Sequence, residues 1–276
     1  MAKSFGANMN LPLEKGDRKL VWGDCFNGND YNKELWNPIN MWKVSDIDQK
    51  LCEDTYRVEN GQLILTSSKL PADKQVDGKA YVTPCFFTTK DRMEFKYGYF
   101  EIKAQIPFYK GNSGAFWFFT SEETKKGYKC EVDLVEQLGH DNAVESAIHA
   151  WGTTHTSCGR IPRKDRSHTF ASTPEELRLE THTYFIDWTP EYIDFGLDNE
   201  VYFHFPLTED CKQYFEQDFD LECLHLPLFF ILSEYLYTPG RKLSWGMDGT
   251  EEPFEYVMKV DHVALYQKEG EEIYLK

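Results

Sequence analysis

The segment Glu131-Val132-Asp133-Leu134-Val135-Glu136 constrains the fold more than any other stretch of this chain. Acids alternate with β-favouring aliphatic residues, which is the period of a strand. Side chains alternate along a strand, so Glu131 and Asp133 share a face. Glu136 stands at an odd offset from Glu131, and an unbroken strand would send it to the opposite face. One extra residue brings it back, so a β-bulge is expected within residues 134–135. Four effective strand steps then separate the two glutamate Cα atoms by roughly 13 Å, a gap that two side chains leaning together largely close. Three carboxylates this crowded cannot all ionise comfortably, so at least one proton affinity rises and the three titrate as a set. A strand with a solvated polar face has the same alternation, so the rest of the chain has to decide between the two readings.

That rest is β-rich. Short strands are expected at residues 20–26, 62–66, 79–88 and 114–120, with Val144 to Trp151 following the acid segment. Residues 97–106 alternate clearly: Tyr97, Tyr99, Glu101, Lys103 and Gln105 fall on one face, and Phe100, Ile102, Ala104 and Ile106 on the other. Residues 192–197 and 201–205 form a hairpin across Asp198-Asn199. Residues 227–237 are a long apolar strand, and 257–267 close the chain with more alternation. A helix start is visible at Thr173-Pro174-Glu175-Glu176, with a further helical turn expected over 210–219. Many short strands with few helices predict an all-β fold of two packed sheets, with a cleft on the concave face. No linker or repeat divides the 276 residues, so residues 20–276 are read as one domain behind an N-terminal extension over 1–19.

Lys and Arg total 30 against 46 Asp and Glu, a net charge of −16. That balance disfavours nucleic acid and anionic membranes as partners. Arg160, Arg163, Lys164 and Arg166 form a local basic patch, read as a solvated loop. No stretch is long and apolar enough to span a bilayer as a helix. Residues 1–19 have no apolar leader core, and the seven cysteines leave at least one unpaired within the chain. Both features suit a reducing compartment, provided that no leader has been removed. His149, His155 and Cys158 lie close in sequence but lack an obvious fourth ligand, so no zinc site is expected there. Aromatic residues make up 16% of the chain, enough to build a core and to leave rings free for packing on sugar faces.

Paired carboxylates at controlled spacing are the equipment for cleaving a glycosidic bond, and a separation near 5–5.5 Å marks the retaining, double-displacement route. Residues 20–28 look like the opening strand of glycoside hydrolase family 16, the jelly-roll endo-glycanases related to laminarinases, licheninases, agarases and carrageenases. Tyr97-Gly98-Tyr99-Phe100-Glu101, Gly114-Ala115-Phe116-Trp117, Asp187-Trp188-Thr189-Pro190 and the run from Val260 to Tyr266 are similar to its other markers. Glu131 to Glu136 resembles the bulged form of its catalytic signature.

The resemblance implies a concanavalin A-like jelly roll that hydrolyses a polysaccharide or oligosaccharide by double displacement, most readily a β-1,3-glucan. It casts Glu131 as nucleophile, Glu136 as general acid/base and Asp133 as holder of the proton network between them. Trp117 would stack on a sugar, His149 would bond near the carboxylates, and Trp151 would extend the platform. The other reading of Trp117 is a core aromatic, and of His149 a satisfied sheet histidine. No cofactor is required for catalysis; a structural calcium at Asp261, with carbonyls near Gly61, is the expected accessory. A monomer, outside the cell or in the periplasm, is implied. Ser113-Gly114 in place of Trp-Pro, Ser233 in place of Asn, Cys25 in place of an acid, and an atypical segment over 207–223 depart from the pattern. They leave open a β-galactanase of the same chemistry, a transglycosylase, and a lectin-like binding module.

Overall fold

The computed structural model describes residues 10–40, 47–75, 77–137, 144–152, 167–168, 179–214, 220–239, 247, 250, 252 and 254–275. Two sheets face each other, one 11-stranded and one 9-stranded. The main path of the first runs Glu200–Pro206, Tyr192–Leu197, His182–Trp188, Gly98–Gln105, Phe254–Gln267, Gln62–Lys69, Tyr81–Pro84 and Ile47–Lys50, with Glu14–Lys15, Arg18–Asp24 and Tyr56–Glu59 paired off it. The main path of the second runs Ser167–His168, Val144–Gly152, Tyr128–Gln137, Asn112–Thr120, Leu228–Leu236, Phe86–Thr88 and Asn37–Ile39, with Met93–Lys96 and Glu272–Leu275 paired off it. Neighbours along both paths are antiparallel, except that Ile47–Lys50 runs parallel to Tyr81–Pro84. This is the expected two-sheet jelly-roll sandwich.

Alternation builds the core between the sheets. Phe100, Ile102, Ala104 and Ile106 from one sheet meet Phe116, Phe118, Val132 and Phe230 from the other, all essentially solvent-free. The rings interlock edge to face: Phe100 and Phe118 lie 5.0 Å apart at 90°. Each buried ring contributes on the order of 1.5–3 kcal/mol of hydrophobic stabilisation. Gly114 points inward, and a Cβ there would fall 2.6 Å from Ile106 Cγ2 and 2.8 Å from Met258 Cε, so only glycine lets the sheets approach. The hairpin across Asp198-Asn199 forms as expected, with both residues at positive φ, 48° and 74°.

Three details depart from the sequence reading. Residues 79–88 are not one strand: Tyr81–Pro84 belongs to one sheet and Phe86–Thr88 to the other, with the crossing at Cys85. Pro84, with no N–H to donate, ends the first piece. Tyr97 leaves the polar face, because its left-handed φ of 62°, followed by Gly98 at 128°, turns the ring into the core against Trp188. The N-terminal extension takes part in the sheet: Glu14–Lys15 pairs with Arg18–Asp24, and Leu11 packs on Ala264 and Tyr266. A 3₁₀ segment, Glu209–Tyr214, stands in the first part of 210–219. The helix start at Thr173 lies outside the described residues. Cys25, Cys52, Cys85, Cys130 and Cys223 are free thiols.

Candidate active site

The strand Tyr128–Gln137 carries the bulge that parity demands. Against Asn112–Thr120 its register slips at Leu134, since Phe116 pairs with Val135 and Trp117 with Asp133. Against Val144–Gly152 it slips over the same span: Asp133 pairs with Ala147, but Glu136 with Glu145. Leu134 and Val135 therefore both point into the inter-sheet core, fully buried. Glu131, Asp133 and Glu136 come out together on the opposite face. The bulge thus satisfies both requirements, an apolar side facing the core and an acid row facing away.

Cross-strand partners complete the face. On one flank Phe119 lies opposite Glu131, Trp117 opposite Asp133 and Ala115 opposite Glu136. On the other flank His149 lies opposite Glu131, and Glu145 opposite Glu136. Asp133 is deeply buried at 3% exposure, and His149 Nε2 stands 3.0 Å from its Oδ2. Trp151 donates its indole N–H to Glu131 Oε2 at 2.8 Å and stacks on the His149 ring, centroids 5.7 Å apart. Trp117 is not in the inter-sheet core. It sits in a separate apolar cluster with Ala115, Phe229, Ile231, Phe86 and Tyr235 on the acid face, and its Nε1 donates to Ser233 Oγ at 3.2 Å. The six catalytic and sugar-binding candidates, Glu131, Asp133, Glu136, Trp117, His149 and Trp151, therefore share one surface.

Electrostatics mark Glu131. Burial, and then the charge of Asp133, push its carboxyl up to about 8, with Glu136 adding to the rise; His149 and the Trp151 N–H pull the other way without reversing it. At neutral pH the acid row accordingly retains a proton. Ligand atoms of Glu131, Asp133 and His149 all lie within 4.8 Å of one another, close enough to hold a cation. The imidazole nitrogen, however, already faces Asp133 Oδ2, which makes the group a proton-sharing network.

The calcium expectation falls on Asp261 and the turn at Gly61. Asp261 Oδ1 accepts a hydrogen bond from Gln62 Nε2 at 2.6 Å, and Oδ2 faces Lys103 Nζ at 3.5 Å. Gly61 turns at φ 74°, where a Cβ would lie 3.7 Å from Asn27 Oδ1 and 3.9 Å from Cys25 O. One carboxylate already neutralised by an ammonium, beside neutral oxygens, does not fit a divalent cation. His155, Cys158 and the basic patch at 160–166 lie outside the described residues. A cavity of about 800 Å³ lies on the other sheet, lined by Lys50, Arg57, Thr66, Ser68 and Phe254 among others. None of the acid row borders it.

Two members of the face were not read from the sequence. Phe119 and Glu145 share parity with Trp117 and His149 respectively, so alternation places them on the right side; only register places them beside Glu131 and Glu136.

The chain is 28% identical over 267 residues to a β-glucanase of Rhodothermus marinus, covering 90% of this chain and 85% of that protein. Its structure superimposes on a non-specific endo-β-1,3(4)-glucanase with a TM-score of 0.69, at 24% identity and 92% coverage of both chains. An endo-acting O-glycanase of the human gut microbiota that initiates mucin breakdown gives 0.72 at 20% identity, again over 92% of both chains. These structural likenesses bear on the fold. Residues 45–222 match the model of glycosyl hydrolases family 16. With more than half of its length so matched, the chain belongs to that family and is a glycoside hydrolase.

Proposed function

We propose that this protein is an endo-acting, retaining β-glycanase that hydrolyses β-1,3-glucan, with Glu131 as nucleophile and Glu136 as general acid/base. The observation that carries this reading is the bulge, which returns Glu136 to the face of Glu131 and Asp133. In the first step the Glu131 carboxylate attacks the anomeric carbon while Glu136 gives its proton to the departing glycosidic oxygen. A covalent glycosyl-enzyme results. In the second step Glu136, now ionised, takes a proton from water as that water attacks the same carbon and releases Glu131. Glu131 must be ionised to attack, so the proton of the acid row moves to Asp133, the most buried of the three, with His149 Nε2 against its other side. Trp151 holds one Glu131 oxygen, leaving the other for the anomeric carbon. The Trp117 and Phe119 rings flank the row as a surface for sugar C–H faces. A pure binding module would gain nothing from a carboxyl raised to about 8.

The β-glucanase relative supports the substrate assignment. The test is a reducing-sugar screen over laminarin, mixed-linkage glucan, agarose, carrageenan, xyloglucan and mucin O-glycan, with the anomer of the first-formed product read by NMR. Laminarin cleaved internally to a β product is expected. An α product would remove the double-displacement mechanism, and cleavage of a galactan alone would remove the glucan. Glu136→Ala with an activated aryl glycoside and azide should give a β-azide, and Glu131→Ala an α-azide; swapped products would exchange the two roles.

A further inference from the structure

We infer that Glu145 is a positioning residue for Glu136: its carboxylate, directly across the strand pair, holds on Glu136 the proton that the leaving oxygen takes. This rests on the reading of Glu136 as general acid. The register sets the two residues opposite each other on the acid face, which puts their Cβ atoms roughly 4.5–5.5 Å apart. Glu145 is only 9% exposed, so water screens the pair poorly. Like charges directly opposite destabilise a sheet. The next residue on the same face, Ala147, meets Asp133 with a single methyl group, so the second acid is particular to the position across from Glu136.

Among the described residues, the charges around Glu136 can be placed strand by strand. Its own strand contributes Asp133 and Glu131, with Lys129 at the far end opposite Trp151. The His149 strand contributes Glu145 opposite it and His149 beyond. Ser167 stands opposite Glu145, and His168 one place along opposite Val144. The aromatic strand presents Ala115, and Leu228–Leu236 presents Ser233; Glu234 turns away from this face and binds Asn112 in the core. Among the described residues, Glu145 is thus the negative group that lies directly across from Glu136. A negative neighbour favours the protonated form of an acid. It keeps Glu136 loaded to higher pH before bond cleavage, and in the second step strengthens it as the base that takes a proton from water.

The experiment is the pH profile of kcat/KM on laminarin, whose alkaline limb reports the free enzyme's acid. Glu145→Gln should move that limb toward lower pH by about one unit, the size expected for two charges about 5 Å apart near a protein surface. Glu145→Asp, which keeps the charge but draws it back by one carbon, should fall between wild type and Gln. The shift should shrink for an aryl glycoside whose leaving group needs no acid. An unmoved alkaline limb in Glu145→Gln, or an equal loss at every pH, would overturn the assignment. Should the Gln variant not fold, an Asp variant with the wild-type limb overturns it equally. A wild-type limb that survives Glu136→Ala would instead sink the general-acid reading itself, so the two failures are distinguishable.

Discussion

Two glutamates on strands of opposite sheets, Glu101 and Glu131, show how its neighbours set the proton affinity of a buried carboxylate. Both are largely buried, and both lie near a histidine. Burial raises the proton affinity of Glu101, but hydrogen bonds from His262 and Lys15 outweigh it and hold the carboxyl below its ordinary value. At Glu131 burial and then the charge of Asp133 outweigh the pull of His149 and the Trp151 N–H and push the carboxyl up to about 8. On the outer face of the 11-stranded sheet the fold brings Lys15, Arg18 and Lys103 to Glu101, Asp187 and Asp261. On the acid face it brings further acids. The lesson is that burial beside other acids keeps a proton on a carboxylate, whereas a close ammonium keeps one ionised, the cost being offset by the rest of the core.

The largest break of this comparison is Glu131→Gln. Hydrolysis should fall by on the order of 10³-fold or more, since an amide cannot form the glycosyl ester. Stability should move the other way. The folded-state value near 8 lies above the ordinary 4.5, so the native chain holds this proton more tightly than the unfolded chain does. The associated stability is fully present below pH about 4.5 and is lost as pH rises through about 8. The Gln variant avoids that loss and should gain on the order of 1–3 kcal/mol above pH about 8, with no gain in acid. Glu101→Gln should mirror it. Glu101 is lowered, so its stability is present above pH about 4.5 and disappears as pH falls. Its loss should cost about 1–2 kcal/mol at neutral pH and leave turnover per folded molecule unchanged. Thermal melts across pH, with activity per folded molecule, decide both; parallel pH slopes in the two variants would erase the distinction.

What the sequence discloses follows from the range of each constraint. The bulge is legible because parity is local: three acids and three aliphatic residues on one strand cannot be sorted without an extra residue. The same parity puts Trp117 and His149 on the acid face. The position of Tyr97 is not legible from alternation, because a single left-handed residue resets the pattern; Gly98, whose Cβ would lie 3.0 Å from Tyr266 O, is the one local hint. The crossing at Cys85 depends on which sheet has a free edge, a property of the whole fold. Glu145 opposite Glu136 depends on register between strands separated by a turn, which neither strand encodes alone.

A smaller effect is expected when the ring of the acid face is compared with one of the core. Trp117 and Trp188 are both buried, the first beside Asp133 and the second against Phe95 and Tyr97. Trp117→Phe loses the hydrogen bond to Ser233 and some area, and should lower kcat/KM about 10-fold through misplacement of the sugar. Its stability cost should stay near 1 kcal/mol. Trp188→Phe should cost more stability, about 1–3 kcal/mol, with turnover per folded molecule intact. Trp117→Ala is the less informative change, because truncating a packed indole costs roughly 3–5 kcal/mol whatever its role. Normal kinetics in Trp117→Phe would leave Trp151 and Phe119 as the rings to examine.

The smallest effect concerns the counter-charged face itself. Asp261 is balanced by Lys103 Nζ at 3.5 Å and held by Gln62, so a divalent cation finds its charge already met. Added calcium, or excess chelator, should therefore move the melting temperature by less than about 1 °C, well below the shift that tight metal binding produces by mass action. Lys103→Gln provides the sharper version. It removes the ammonium and leaves the carboxylate beside the Gly61 turn with its neighbouring Cys25 carbonyl and Asn27 side chain. Oxygen donors with one uncompensated charge are what calcium prefers, so this variant alone should gain melting temperature on calcium addition. A wild-type enzyme that melts earlier in chelator would show that Lys103 yields to a metal. The outer face would then be balanced by an ion as well as by its own side chains, and the contrast with the acid face would rest on Glu101 and Asp187 alone.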